Sequence, residues 1–401
     1  MILKKKDTIT PHITGIGCVC ALGTSIDACM TQMFSGSRNP KAPSRFSTDH
    51  SMAYPVFQID EEIFLPLMPR NDDLTLSAGF GLAAVSQALA DASVDPDELK
   101  KMRVGVCMGT TVGCALNNDP FYMDYKLGKR PGLEPVSRFL NSNPAACIAR
   151  YYHLSGPVQT VVNACASGTD AIGIGALWIK TGLCDLVIAG GTDELCKVTY
   201  NGFISLMITD PDPCRPFDRT RKGLNLGEGA AAVILRPDSG SHFLSGRPHC
   251  SIAGYASVCD AWHLTAPAPD GRGLKRALIQ AVGQSGLDQS EIGFINAHGT
   301  GTRDNDRVED LALSEVLPGT PFFSTKGYTG HTLGAAGALE AVFTVRHLLD
   351  GKIPASIGFS RKDDELIQTP VQQTSTVSGR AAISQSVAFG GNNSVLVFSK
   401  I

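Results

Sequence analysis

The stretch VVNACASGTDAIG, Val161 to Gly173, sets a thiol where an apolar strand pattern gives way to an apolar-periodic helix pattern. A side chain at such a junction sits beside backbone N–H groups that the helix leaves unpaired. Their partial positive charge favours thiolate over thiol and can hold a developing oxyanion. Ala164, Ala166, Ser167 and Gly168 are small enough to let a substrate approach. This is the logic of a nucleophile elbow, with cysteine in place of serine. A buried structural thiol accounts for Cys165 equally well, and it is the reading taken for most of the other cysteines.

A thiol nucleophile needs partners, and the chain has nine histidines. Two stand in glycine-framed stretches after strand patterns. NAHGTGT, Asn296 to Thr302, holds His298 directly after the apolar run Ile292 to Ala297. STKGYTGHTLGAAGALEA, Ser324 to Ala341, holds His331 and, five residues earlier, Lys326. A single loop histidine is more often a surface residue than a catalyst. Two at strand ends among glycines, one with a lysine beside it, are harder to dismiss, because strand ends are where α/β folds build their sites.

These residues must be positioned by a regular framework. Strand patterns cover His12–Gly23, Arg103–Thr111, Val158–Asn163, Asp185–Gly191 and Ala230–Arg236, with helix patterns over Asp72–Val94 and Ser167–Thr181. The second half repeats the rhythm, ending on SVLVFSK as its last strand. Short buried strands alternating with helices predict an α/β protein with mostly parallel strands. The polar stretch Arg236 to His249 is the best boundary between two halves.

Taken in order, these motifs resemble the β-ketoacyl-[acyl carrier protein] synthases of the elongating type, including the ketosynthases of polyketide and aryl polyene systems. The resemblance covers nearly the whole chain. ITGIGCVCALG is similar to the opening strand, NACASGTDAIG to the nucleophile elbow, and CRPFDRTRKGLNLGEGAAAVIL to the stretch that follows. NAHGTGTRDNDRVE and STKGYTGHTLGAAGALEA resemble the two histidine motifs, and AFGGNNSVLVF the C-terminal glycine loop.

The resemblance implies a thiolase fold: two pseudo-repeated α/β halves in an αβαβα arrangement, residues 1–240 carrying the nucleophile and 241–401 both histidines. It implies decarboxylative Claisen condensation. Cys165 would be acylated, and His298 and His331 would polarise the malonyl thioester. Lys326 would organise His331, with Glu309 as its carboxylate partner. The N–H groups of Cys165 and Phe389 would form the oxyanion hole, and Phe389 would be the gate. Thr300 and Thr302 would bind the pantetheine arm, Val112 would line the acyl pocket, and Asp260 and His263 would form a polar pair near the malonyl end. Where the family loop carries a second phenylalanine and a threonine, this chain has Val387 and Asn392.

No metal or redox cofactor is implied. The implied partners are acyl carrier protein and a second subunit, met through the strand Val158–Asn163 in a homodimer or in a heterodimer with a homologue. Arg70, Lys126, Lys129 and Arg130 are candidates for carrier docking. The last cysteine is Cys259, upstream of both histidine motifs, so the second C-terminal cysteine of the degradative thiolases is absent. The Cys-less chain-length factor is excluded by Cys165. The active half of such a heterodimer stays open. A Cys-His hydrolase lacks its acid partner here.

Bulk properties agree. A net charge of −3 gives no reason to expect nucleic acid or an anionic membrane as partner. MILKKKDTIT has no apolar run behind its lysines, and Lys180 and Asp185 interrupt the most apolar later stretch, so neither a signal peptide nor a membrane span is expected. The 12 cysteines form no CxxC pair or regular framework, the pattern of a reduced cytoplasmic protein.

Overall fold

The computed structural model describes residues 9–67, 74–111, 115–238 and 247–401. Val112, Arg70 and the 240/241 boundary lie outside the described residues.

Five strands come from the first part of the chain: β1 Pro11–Cys20, β2 Val104–Gly109, β3 Val158–Val161, β4 Leu186–Asp193 and β5 Gly229–Pro237. Five from the second part complete the main sheet: β6 Cys250–Cys259, β7 Ile292–Asn296, β8 Phe322–Phe323, β11 Ala381–Ala388 and β12 Asn392–Ser399. A separate two-stranded ribbon pairs β9 Lys352–Ile353 with β10 Ser375–Thr376. The order across the main sheet is β3-β2-β4-β5-β1-β6-β12-β11-β7-β8. Read outward from the centre, β1-β5-β4-β2-β3 and β6-β12-β11-β7-β8 follow the same sequence of antiparallel and parallel pairings. Among the described residues, the two sets pair only through His12–Ser251 and Ile13–Cys250.

The expectation of mostly parallel strands is corrected here. β5 runs antiparallel to both β1 and β4, and β12 to both β6 and β11. The cause is the connections. A tight turn at Phe389–Gly391 joins β11 to β12, and a hairpin returns its second strand antiparallel. β11 itself was hidden by Ser384, Gln385 and Ser386, which break the apolar pattern yet are fully buried.

Burial on both strand faces explains the continuous apolar runs. Along β5, Ala231, Val233 and Leu235 face an inner core, while Ala230, Ala232 and Ile234 face an outer one. The inner core gathers residues of both strand sets around two central helices, Ser167–Lys180 and Ala336–Asp350. Outer cores lie under the helix Leu76–Asp91 on one side and under Arg272–Ser285 on the other. Three cores between five layers make the thiolase fold.

The two central helices touch backbone to backbone. A Cβ on Gly168 would stand 2.7 Å from the Ala338 nitrogen, and one on Gly337 would stand 2.0 Å from Thr169 Oγ1. The small residues after Cys165 and after His331 are therefore a packing requirement. They bring the start of the nucleophile helix against the start of the histidine helix.

His347, on the second central helix, is fully buried beside the rings of Phe34, Phe294 and Phe323. Burial pushes its pKa down from 6.5 to about 3. The unfolded chain takes up this proton near pH 6.5 and the folded chain does not. The contribution is therefore complete above pH 6.5 and is lost as pH falls toward 3, at about 1.4 kcal/mol per pH unit. His347→Leu should flatten the fall of urea-unfolding stability on acidification below pH 6.5. An unchanged slope would show that this histidine is not an acid-sensitive element.

Candidate active site

Cys165 ends the turn between β3 and the nucleophile helix. Ala164 before it takes φ +49°, a left-handed conformation uncommon for a residue with a Cβ. Side chains hold that turn. The Asn163 N–H donates to Ser167 Oγ at 2.8 Å, Ser167 Oγ donates to the Ala164 carbonyl at 2.6 Å, and the Asn163 amide donates to Asp170.

The cysteine sulfur and one ring nitrogen each of His298 and His331 lie within 4.8 Å of one another, all three residues buried. The sequence places these groups far apart, and the fold unites them. His298 lies two residues beyond the end of β7. Its backbone N–H and that of Gly299 donate to Glu309 on the helix Arg303–Val316, at 2.5 and 2.7 Å. His331 precedes the histidine helix.

The ring tautomers follow from the hydrogen bonds. Lys326 Nζ stands 2.9 Å from His298 Nδ1, and a lysine ammonium only donates. The Leu333 N–H donates to His331 Nδ1 at 3.1 Å, from a residue at φ +55°. Both Nδ1 atoms are thus acceptors, and each neutral ring carries its proton on Nε2. The buried trio thus offers two Nε2–H donors. Three such ligand atoms could suit a metal, but rings locked in this form present protons rather than lone pairs. Burial and the nearby Lys326 hold both imidazoles well below the usual histidine pKa, so both stay neutral at ordinary pH.

Two assignments are corrected. Lys326 hydrogen-bonds His298, not His331. Its carboxylate partner is Glu340 on the histidine helix, not Glu309. Glu309 instead braces the His298 turn and accepts from Gln385 at 2.6 Å. Burial pushes Glu340 up to about 7 against the pull of Lys326. Glu340 was legible as a carboxylate inside an apolar helix pattern and was missed.

A cavity of about 250 Å³ reaches the trio, lined among others by Thr300, Thr302, Phe203, Met207, Val387 and Phe389. Thr300 and Thr302 join hydroxyls at 2.8 Å. Phe389 stacks on Phe203, centroids 5.5 Å apart, and Phe203 stands edge-on to His331. Gly390 and Gly391 take φ +80° and +77°, which shape the Phe389 turn. Asn392 Nδ2 donates to the Phe389 carbonyl at 3.1 Å.

Asp260 and His263 do not line the cavity, a further correction. Asp260 is a buried brace beside the Phe389–Gly391 turn, accepting from Asn393 and Ala268. His263 is exposed and accepts from Thr265 and Ala266. Lys126, Lys129 and Arg130 are exposed but line no part of the cavity, whereas Lys222 and Arg303 do.

Cys165 also departs from expectation. Burial pushes its thiol up to about 11, against Lys326 and the Phe389 and Cys165 N–H groups, which favour the thiolate. At the buried sulfur desolvation outweighs the helix start. The alkylation rate of Cys165 by iodoacetamide should therefore climb about tenfold per pH unit between roughly pH 7 and pH 10. A plateau below about pH 8 would contradict this.

Comparison with known proteins agrees with this geometry. Residues 12–240 match the family "Beta-ketoacyl synthase, N-terminal domain" and residues 249–360 match "Beta-ketoacyl synthase, C-terminal domain". The chain is 30% identical to 3-oxoacyl-[acyl-carrier-protein] synthase 2 of Synechocystis, with 99% of each chain covered. It is 34% identical to a putative mitochondrial 3-oxoacyl-[acyl-carrier-protein] synthase of Schizosaccharomyces pombe, over 80% of each. Among solved structures it is similar to the ishigamide ketosynthase/chain length factor, at TM-score 0.92, 28% identity and 98% and 100% coverage. A Burkholderia phymatum β-ketoacyl synthase gives 0.90 at 27% identity, with the same coverage. With both family domains matched along its length and a cysteine–histidine–histidine site at their meeting point, the chain belongs to the β-ketoacyl synthases, condensing enzymes of the acyltransferase class.

Proposed function

We propose that this protein lengthens an acyl chain by two carbons, through decarboxylative condensation of an acyl group on Cys165 with a malonyl thioester. The observation that carries the reading is the pair of locked Nε2–H donors beside a buried thiol.

In the first half-reaction the Cys165 thiolate attacks an acyl thioester. The oxyanion is held by the N–H groups of Cys165 and Phe389, which both face the cysteine sulfur. Each such donor is worth about 10²–10³ in rate. The carrier thiol leaves with a proton, and the acyl group stays on sulfur. In the second, a malonyl thioester enters and its carbonyl oxygen accepts from His298 and His331. Loss of CO₂ leaves its electron pair in an enolate that the two N–H groups stabilise. The enolate carbon attacks the acyl carbonyl, and the Cys165 thiolate is expelled. The product is a 3-oxoacyl thioester. Buried neutral imidazoles suit this step, because they donate without protonating the enolate outright.

The partner is acyl carrier protein, in line with the names of the relatives. Thr300 and Thr302 line the channel toward the thiol and can bond a pantetheine arm. Phe389, hinged on two glycines, gates the thiol, and Val387 leaves room beside it. A second subunit covers β3, an edge strand whose Val158 is 43% exposed, with Val162 beyond it at 67%. Edge strands of this kind are normally paired or covered. A homodimer and a heterodimer with a homologue both satisfy that edge, and the solved ketosynthase/chain length factor pairs are of the second kind. Residues 1–240 and 241–401 form the two halves. Among the described residues, no helix is long and apolar enough to cross a membrane. A cytoplasmic location suits ten buried free thiols.

Incubation with acyl-loaded carrier protein followed by peptide mass mapping should place the acyl group on Cys165. His298→Ala and His331→Ala should each lower malonyl decarboxylation by about 10²–10³ while still allowing some acylation. Acylation elsewhere with Cys165 free, or undiminished decarboxylation in both variants, would contradict the reading.

A further inference from the structure

The two N–H groups that favour the Cys165 thiolate come from opposite halves of the fold. One belongs to the turn before the nucleophile helix, the other to the turn between β11 and β12. Backbone donors can share one oxyanion only if the spacing between those turns is held to a fraction of an ångström. One buried carboxylate bridges them.

Asp170 lies in the first turn of the nucleophile helix and is 4% exposed. Its Oδ2 accepts from the side-chain amide of Asn163, two residues before the nucleophile. Its Oδ1 accepts from Tyr255 Oη on β6 at 2.9 Å and from Ser394 Oγ on β12 at 2.6 Å. Ser394 is five residues beyond Phe389, on the strand that leaves the gate turn. Tyr255 reaches the carboxylate because the helix has no side chain at Gly173. A Cβ there would stand 2.3 Å from the ring. Among the described residues no lysine or arginine pairs with Asp170, so three neutral donors carry its desolvation. Such an arrangement is costly unless every bond is made, and it is therefore stiff.

We infer that Asp170 is a positioning residue for acyl transfer: with Asn163, Tyr255 and Ser394 it fixes the nucleophile turn against the gate strand and so sets the spacing of the two oxyanion donors. It touches no reacting atom. The left-handed Ala164 needs such a restraint, since an unfavourable backbone conformation persists only when its surroundings over-determine it. The inference rests on the acylation of Cys165 proposed above. It assigns the malonyl step to other groups, because His298 and His331 are held by Lys326 and Leu333 and not by this network.

The test compares three rates in Asp170→Asn and Tyr255→Phe: acylation of Cys165 by an acyl-N-acetylcysteamine thioester, alkylation of Cys165 by iodoacetamide, and decarboxylation of malonyl carrier protein. Asp170→Asn keeps the side-chain shape and turns one acceptor into a donor facing the Asn163 amide. Tyr255→Phe keeps the ring and deletes one donor. Acylation should fall roughly 30-fold or more in the first and about 3- to 10-fold in the second. Alkylation, which needs no oxyanion hole, and decarboxylation should stay within about threefold. Unchanged acylation, or a parallel fall of all three rates, would overturn the inference. If Asp170→Asn is not recovered folded, Tyr255→Phe decides by the same three rates. Failure of the wild-type protein to acylate Cys165 at all would instead refute the proposed function, so the two failures are distinct.

Discussion

Lys326 and Glu340 form an ion pair at the centre of the protein, 1% and 2% exposed at their side chains. Two buried charges persist in such a place only when they face each other and their remaining hydrogen bonds are used. Lys326 spends one proton on Glu340 and another on His298 Nδ1. Glu340 projects from the helix that follows His331, and Lys326 from the turn that follows β8. The pair therefore ties both histidine segments together and dictates which nitrogen of His298 carries the proton. Removing one partner would leave the other charge buried and alone, at a cost of about 3–5 kcal/mol.

That constraint makes sense of the surrounding economy of small residues. A charged pair cannot be packed loosely, and the helices on either side approach until Gly168 and Gly337 are the only residues that fit. Close approach seals the site, and the seal has consequences of both signs. Burial keeps both imidazoles neutral, as hydrogen-bond donation to an enolate requires. It also pushes the Cys165 thiol up to about 11. Phe389, whose ring stacks on Phe203, lines the same cavity as that buried thiol.

The cluster at the candidate site was more legible in the sequence than the strand directions and the partners that hold it. Cys165, His298, His331 and Lys326 could be read because each stands among glycines and small residues at the end of an apolar run, where a reactive side chain is unusual. Their partners could not. Glu340 and Asp170 each sit inside helical apolar patterns as single acids, and pairing them with Lys326 and Tyr255 requires contacts across 14 and 85 residues. Asp260 and His263 misled for the complementary reason. Polar residues in a loop suggest a site, yet the Asp260 carboxylate serves the Ala268 backbone and the Asn393 side chain, and His263 serves the backbone of its own loop. The antiparallel strands were invisible because strand direction is set by connections, and local apolar pattern is silent about them. β11 was invisible because its central residues are polar yet buried, with Gln385 and Ser386 bonded to Glu309 and Thr169, partners distant in sequence.

The tautomers are the central claim, since the proposed enolate stabilisation needs both Nε2 protons in place before substrate arrives. Nitrogen-15 NMR of the histidine-labelled protein, assigned with His298→Ala and His331→Ala, reads them directly. Both rings should show a protonated Nε2 and an unprotonated, hydrogen-bonded Nδ1, unchanged from about pH 5 to about pH 8. A ring with its proton on Nδ1, or one that becomes imidazolium near pH 6.5, would contradict the account.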